Sequence, residues 1–266
     1  GMSFPDSEMY GIDVVIPDVT YLVNNKERVK GFFITHGHED HIGAIPYILK
    51  QINAPIYATN LTIGLIQNKL EEHKMLDIVE LNVVKPGDTI ALEKLKVEFI
   101  RTNHSIADAA ALAIHTPEGI IVHTGDFKVD YTPVFGDAIN LARFSELGKK
   151  GVLALMCDST NALRPGFTPS ERTVGKTFDH IFSEHTDGRI IIATFASNVD
   201  RVQQIINTAC KYKRKVIVEG RSMVNIISVA REMGYLKIPE NTLISIEEMD
   251  SYTDNQLVLI TTGSQG

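Results

Sequence analysis

Cysteine is scarce: Cys157 and Cys210 are the only two in 266 residues. Two thiols cannot build a disulfide framework, so a stapled extracellular scaffold is excluded and a reducing cytoplasm is the expected location. Long apolar runs are missing too. None approaches the ~20 residues that a membrane-spanning helix requires, and no basic-then-apolar segment opens the sequence. Neither a membrane partner nor an export signal is expected. Positive charge is in deficit, with 26 Lys and Arg against 33 Asp and Glu and a net charge of −7. A protein that grips nucleic acid with its whole surface is usually basic, so any such grip here has to be local. No internal repeat and no low-complexity tract is present. What is there is 44% apolar and 22% charged, ample for one large domain or two ordinary ones.

From Val14 to about Thr160 the pattern predicts mostly short strands. VKGFFIT, PIYAT, LNVV, LKVEFIRT and VLALMCD are runs bounded by Gly, Pro, Asn or Asp. AALAIHTPEGIIVHTGD predicts a hairpin turning at Pro117-Glu118-Gly119. Helices are expected over Ile42–Gln51 and Thr62–Glu72. Near Ser170 the pattern changes. A helix in PSERTVGKTFDHIFSEH is followed by strand RIIIATFA, helix NVDRVQQIINTACKYK, strand KVIVEG, helix SMVNIISVAREMGY, and strands TLISIE and QLVLITTG. Such alternation implies a parallel, doubly wound sheet. The fold class is therefore α/β, with one domain over residues 3–169 and another over 170–266, divided near the turn-rich Arg164-Pro165-Gly166.

The densest chemistry lies in ITHGHEDHIG, which places His36, His38, Glu39, Asp40 and His41 directly after the strand VKGFFIT. A strand end delivers residues to the sheet edge, where α/β sites form. Gly37 permits a tight fold between two histidines, and residues two apart on an extended segment point the same way. Imidazoles with a carboxylate suit a borderline metal such as zinc better than magnesium or calcium. Further ligands are expected at other strand ends: His104 closes LKVEFIRTN, and Asp126 follows IIVHTG. Either one alone would read as a structural cap; beside the cluster both become candidate ligands. Asp126 can bridge two metals through its two oxygens. Two metals would bind and ionise a water and clamp the charge growing on a phosphorus or carbonyl centre. Glu39 reads as a neighbour shaping the turn, and His123 as a core or supporting histidine. His73, His115, His180 and His185 have no legible partner.

The set HGHEDH, His104 and HTGDFK resembles the metallo-β-lactamase superfamily. FPDSEMYGIDVVIPDVTYL, THGHEDHIGAIPYIL, TNHSIADAAALAI, CDSTNA and LVLITTGSQG together resemble the bacterial ribonuclease J family across essentially the whole chain. The resemblance implies an αββα metallo-β-lactamase sandwich followed by part of a doubly wound β-CASP domain. It also implies a zinc-dependent ribonuclease with 5′-to-3′ exonuclease and endonuclease activity, acting in RNA maturation and decay. Carried over, His36, His38 and His104 would hold the first zinc, Asp40 and His41 the second, and Asp126 would bridge. Asp158 in CDSTNA matches an acid that the family places beside the site, although it also suits a cap for the turn at Ser159-Thr160. Asp40, Asp126 and Asp158 are the catalytic candidates, and manganese is an alternative metal. The match implies a chain lacking both ends of the family's sequence, with the second zinc short of one ligand. Implied partners are RNA carrying a 5′-monophosphate and, in the full-length protein, a second copy or a paralogue. The motif is shared with DNA-processing β-CASP nucleases and with lactonases and thioesterases; a non-catalytic scaffold paralogue is a further alternative.

Contacts to RNA are expected in the second domain. Phe195, Ser197 and Asn198 sit between a strand and a helix, as do Arg221 and Ser222. A helix start offers free N–H groups to phosphate, an arginine can pair with it bidentately, and an aromatic ring can stack on a base. Capping alone would also explain Ser197 and Asn198. TTGSQG is a third loop of this kind. KYKRK (Lys211–Lys215) reads as a phosphate track or as a charged end to a helix.

Overall fold

In the computed structural model, which describes residues 1–263, the chain divides into two units. The first comprises Gly1–His104, Asp108–Lys128 and Ile139–Arg164; the second comprises Ser105–Ala107, Val129–Ala138 and the chain from Pro165. Ser264 of the TTGSQG loop lies outside the described residues.

The first unit runs α1 (Thr20–Asn24), β1 (Phe32–Phe33), α2 (Glu39–Ile42), α3 (Ile45–Leu49), β2 (Ile56–Thr59), α4 (Asn60–Glu72), β3 (Leu81–Val84), β4 (Thr89–Leu92), β5 (Leu95–Arg101), β6 (Ala110–Thr116), β7 (Gly119–His123), α5 (Leu141–Lys150) and β8 (Val152–Met156). Strands β1-β2-β3 form a parallel sheet, and β4-β5-β6-β7-β8 a mixed one. Val84 of β3, Val97 and Phe99 of β5, and Ala110 and Leu112 of β6 make one core with Phe33 and Tyr57 packed against it. Phe33 stacks on Tyr57 within the first sheet at 4.9 Å and reaches Phe99 of the second at 6.2 Å. That is sheet-on-sheet packing. Helix α4 contacts β2 and β3, while Leu147 and Phe144 of α5 pack with Ile100, Ala111, Ala113 and Val122 of the second sheet. The order of layers is α4, sheet, sheet, α5: the αββα sandwich.

The second unit holds α6 (Arg172–Glu184), β9 (Ile190–Ala193), α7 (Val199–Lys211), β10 (Lys215–Glu219), α8 (Arg221–Glu232) and β11 (Leu257–Thr261). Its strands are parallel in the order β10-β11-β9, and Val202, Ile205, Ile206, Val216, Ile217, Val258 and Ile260 are buried around them. Buried Glu171 receives both Arg201 Nε (2.8 Å) and an Arg201 terminal nitrogen (3.0 Å), tying the start of α6 to α7. Among the described residues no helix is long and apolar enough to cross a membrane.

Several expectations are corrected. TLISIE is not a strand: Leu243 makes a single bridge to Val216, and the chain then turns into a short 3-10 helix, Ile246–Ser251. A capping box causes this, Ser245 and Glu248 each bonding the other's backbone N–H. The helix expected over Ile42–Gln51 begins at Glu39 and is broken into α2 and α3, with Pro46 in the first turn of α3; a proline there has no N–H with which to continue the preceding turn. Of the two readings of KYKRK, the charged helix end fits, with Lys211 in the last turn of α7, and the run is not a free phosphate track. Lys211 pairs with Asp179, buried Arg214 donates to the carbonyls of His185, Gly188 and Leu257, and Lys215 donates to Asn241. VLALM is a strand as expected, and it is the edge strand β8, exposed at every position.

His115 finds a partner. Glu98 of β5, 7% exposed, accepts Arg143 Nε at 2.6 Å, an Arg143 terminal nitrogen at 2.9 Å and His115 Nε2 at 3.0 Å. Breaking a fully buried pair costs ~3–5 kcal/mol. Arg143 keeps 26% of its side chain exposed, so Glu98→Gln should destabilise the first unit by ~1–3 kcal/mol in urea denaturation at pH 7. The Arg143 hydrogen bonds hold the Glu98 carboxyl below its ordinary range despite burial, which acts the other way. The native state therefore binds this proton less readily than the unfolded chain. The stabilisation is complete above the ordinary glutamate range and is lost as pH falls through the depressed value. In the glutamine variant that acid loss should flatten, and an unchanged slope would exclude this role for Glu98.

Candidate metal centre

The site is assembled from strand ends. Ile34 N–H still pairs with Tyr57 O at 3.0 Å; the chain then leaves β1 and carries Thr35 and His36 into the interior, His36 with no exposed surface. The Thr35 hydroxyl lies 3.1 Å from His36 Nδ1, which leaves Nε2 facing the cluster. In the other sheet β5 and β7 are each antiparallel to β6, and β8 is parallel to β7. Strands β5, β7 and β8 therefore run the same way, and His104, Asp126 and Asp158 follow their carboxyl ends along one edge.

The structure brings His36, His38, His104 and Asp126 into one group and Asp40, His41 and Asp126 into another, with the donor atoms of each within 4.8 Å of one another. His36 Nε2 and His104 Nε2 both stand 3.1 Å from His38 Nδ1. Asp126 Oδ2 lies 3.9 Å from His36 Nε2 and 3.7 Å from His104 Nε2. The other oxygen, Oδ1, is 3.6 Å from His41 Nε2, which is 3.4 Å from Asp40 Oδ2. Four ligands at ~2.0–2.1 Å around a tetrahedral ion are spaced by roughly 3.3 Å. The observed 3.1–3.9 Å spacings fit that size, and an N3O set is a zinc-like set. The cluster is thus of a size and donor chemistry that could hold a metal ion.

Its electrostatics suit a cation. Burial, and then the neighbouring His41, His38 and His104, drive His36 far below the ordinary imidazole range. Burial first, with His104 adding to it, holds His38 down at about 4; burial and then His41 hold His104 at about 4, against the opposing charge of Asp158. The imidazoles therefore stay neutral, the form in which they bind metal.

Asp158 stands just outside both groups. Its Oδ1 accepts from Thr160 N (3.0 Å) and Thr160 Oγ1 (2.8 Å), capping the turn. Burial pushes its carboxyl up, but the Thr160 bonds, the Phe127 N–H and His104 outweigh that and hold it below the ordinary range. The carboxylate of Glu39 is occupied elsewhere, by Lys69 of α4 at 2.6 Å. Sequence reasoning missed Thr35, beside His36, and Thr124, whose hydroxyl accepts the Asp158 N–H at 3.0 Å. A threonine preceding a ligand gives no pattern, although its place in the strand-end phrases THGH and HTGD was visible.

In the second unit, Phe195 is 71% exposed, Arg221 and Ser222 are exposed and Ser197 is half-buried. Asn198 is buried, and its side chain caps α7 by accepting Arg201 N–H at 3.1 Å.

Residues 7–142 match the family described as "Beta-lactamase superfamily domain". The chain belongs to that superfamily. Residues 187–266 match "Ribonuclease J, beta-CASP domain", and the curated relatives are ribonucleases J. The chain is 49% identical to Ribonuclease J of Synechocystis sp., 45% to that of Helicobacter pylori and 42% to that of Thermus thermophilus. Each match covers 100% of this chain but 42%, 39% and 47% of the relative, so the chain spans less than half the length of these proteins. A solved protein of unknown function from Enterococcus faecalis is similar in fold, with a TM-score of 0.63 at 18% identity over 90% of this chain and 59% of that one.

Proposed function

We propose that the chain carries the metal centre of a zinc-dependent ribonuclease, hydrolysing RNA phosphodiester bonds as a 5′-to-3′ exonuclease and endonuclease in RNA processing and decay. The observation that carries this reading is the pair of donor groups sharing Asp126, in a chain whose curated relatives are named Ribonuclease J. His36, His38, His104 and Asp126 would hold one ion; Asp40, His41 and Asp126 would hold the other, with manganese as the alternative to zinc. The chemistry such ions supply when bound is Lewis-acid polarisation of a phosphoryl oxygen and acidification of water. The chain's own part is geometric. Buried His36 closes the inner side of the site to solvent, and Asp126 turns one oxygen toward each group. Asp158 keeps a negative charge near His104, and with Asp40 and Asp126 forms the set of acids proposed to take part in catalysis.

RNA with a 5′-monophosphate is the proposed partner, and the second unit the proposed grip. Its three strands are parallel, so the loop Phe195-Ala196-Ser197-Asn198, Gly220 with the first α8 residues Arg221 and Ser222, and Thr262-Gly263 all lie at one edge of the sheet. The starts of α7 and α8 lie there, offering N–H groups to phosphate. On this reading Phe195 stacks on a base, Arg221, Ser197 and Ser222 meet phosphates, and Asn198 shapes the loop as a cap. Arg221→Ala should weaken single-stranded RNA binding by ~1–3 kcal/mol if the guanidinium makes a charged hydrogen bond. It should also lower the salt dependence by about one phosphate contact, with metal content unchanged. Binding insensitive to Arg221 would remove it from the path. Cytoplasmic location, and assembly with a second copy or a paralogue, complete the proposal.

The deciding test compares the full-length protein on RNA and DNA of one sequence, each with a 5′-monophosphate. Cleavage of RNA alone is the expected result. Preference for DNA would make it a DNA-processing nuclease, and fast hydrolysis of a lactone or thioester without RNA cleavage would make it a small-molecule hydrolase.

A further inference from the structure

Asp126 is the residue common to both donor groups, and the turn that carries it is held in an unusual way. Two side chains hold the polar groups on either side of Gly125. Its N–H donates to His123 Nδ1 at 3.0 Å, and its carbonyl, in the peptide that leads into Asp126, accepts from the Thr124 hydroxyl at 2.7 Å. The Thr124 oxygen in turn accepts Asp158 N–H at 3.0 Å. Met156 O lies at 3.5 Å from the same hydroxyl; a hydroxyl has one proton, and the shorter contact takes it. Gly125 adopts φ +59°, and a Cβ there would stand 3.0 Å from Thr35 Cβ and 3.2 Å from Ala110 O. The turn is thus pressed against the residue that precedes His36. Thr124 is buried at 7% exposure.

One buried hydroxyl therefore ties together the loops after β7 and β8, which carry Asp126 and Asp158. We propose that Thr124 is a positioning residue: its hydroxyl locks the Gly125–Asp126 peptide so that Asp126 presents one oxygen to each donor group. His123 supports the same turn from the N–H side, its ring proton on Nε2. Metal–ligand distances are held to about 0.2 Å, so a carboxylate shared between two groups tolerates little rotation of its backbone. Packing alone does not account for the residue, because valine would fill the same space without spending a hydrogen-bonding group.

The inference rests on the reading of Asp126 as a ligand, and the test separates the two. Zinc affinity is measured by chelator competition on the full-length protein and on its Thr124→Val, Thr124→Ser and Asp126→Ala forms, beside the melting temperature of each metal-free form. Loss of a group that orients a ligand costs about 10–100-fold in affinity. Thr124→Val is expected to fall in that range while its metal-free form still melts cooperatively, at a lower temperature because two backbone groups lose their partner, and Thr124→Ser to bind within about threefold of the parent. Should the valine form not fold, Thr124→Ala against Thr124→Ser gives the same comparison, since those two differ by the hydroxyl alone. Equal losses in the serine and valine forms, or parent-like affinity in the valine form while Asp126→Ala loses zinc, would overturn the role of Thr124. Parent-like affinity in Asp126→Ala would overturn the ligand assignment itself and the inference with it.

Discussion

Replacing His36 and His38 together by alanine should abolish metal uptake. The two supply two of the four donors in the larger group. A structural zinc site contributes ~10–16 kcal/mol in apparent binding free energy, or roughly 2.5–4 kcal/mol for each of four ligands. Losing two ligands removes ~6 kcal/mol, about a 10⁴-fold drop in affinity. Atomic spectrometry after dialysis against micromolar zinc would read this as a loss of bound metal, and unchanged content would remove these histidines from the site. Stability supplies a second readout. Zinc at 100 times its dissociation constant stabilises the parent by ~2.7 kcal/mol, and this increment should vanish in the variant. His36 has no exposed surface, so its replacement also leaves a cavity. The increment on adding zinc is therefore the informative quantity, rather than the absolute stability.

The site was the most legible part of the sequence because its parts are local or sit at strand ends. His36, His38, Asp40 and His41 fall within six residues, and His104 and Asp126 each follow a readable β run. The supports were not legible because they join distant residues. Thr124 meets Asp158 across 34 positions, and Glu98 meets Arg143 across 45. No periodicity records such a bond. The fold failed to read where a local polar device overrode an apolar pattern, as at TLISIE, where Ser245 and Glu248 cap a 3-10 turn. It failed again where tertiary contacts decided the outcome. Nothing in the charged run KYKRK marks Arg214 as 5% exposed, with its donors spent on three carbonyls. Helix α5, LARFSELGKK, escaped notice because Asn140 caps it from outside a short amphipathic stretch, its side chain accepting Arg143 N–H.

Asp126→Ala in the full-length protein should remove RNA cleavage while leaving the fold in place. The side chain is one-third exposed, so its removal opens no cavity in the sandwich, and circular dichroism should match the parent. Activity should fall because one carboxylate serves both donor groups, with Oδ2 near His36 and His104 and Oδ1 near His41. Its loss leaves three neutral imidazoles on one side and Asp40 with His41 on the other, with no anion between them. Lewis-acid stabilisation of phosphoryl charge is worth several kcal/mol; forfeiting about 4 kcal/mol lowers the rate by ~10³-fold. Asp126→Asn separates charge from shape: it keeps an oxygen ligand but not the negative charge, and should fall between alanine and parent. Cleavage of 5′-monophosphorylated RNA at the parent rate by Asp126→Ala would sink the two-group reading of the site. Activity that disappears only together with the circular dichroism signal would instead make Asp126 a residue of the fold, and the hydrolytic centre would have to lie elsewhere in the protein.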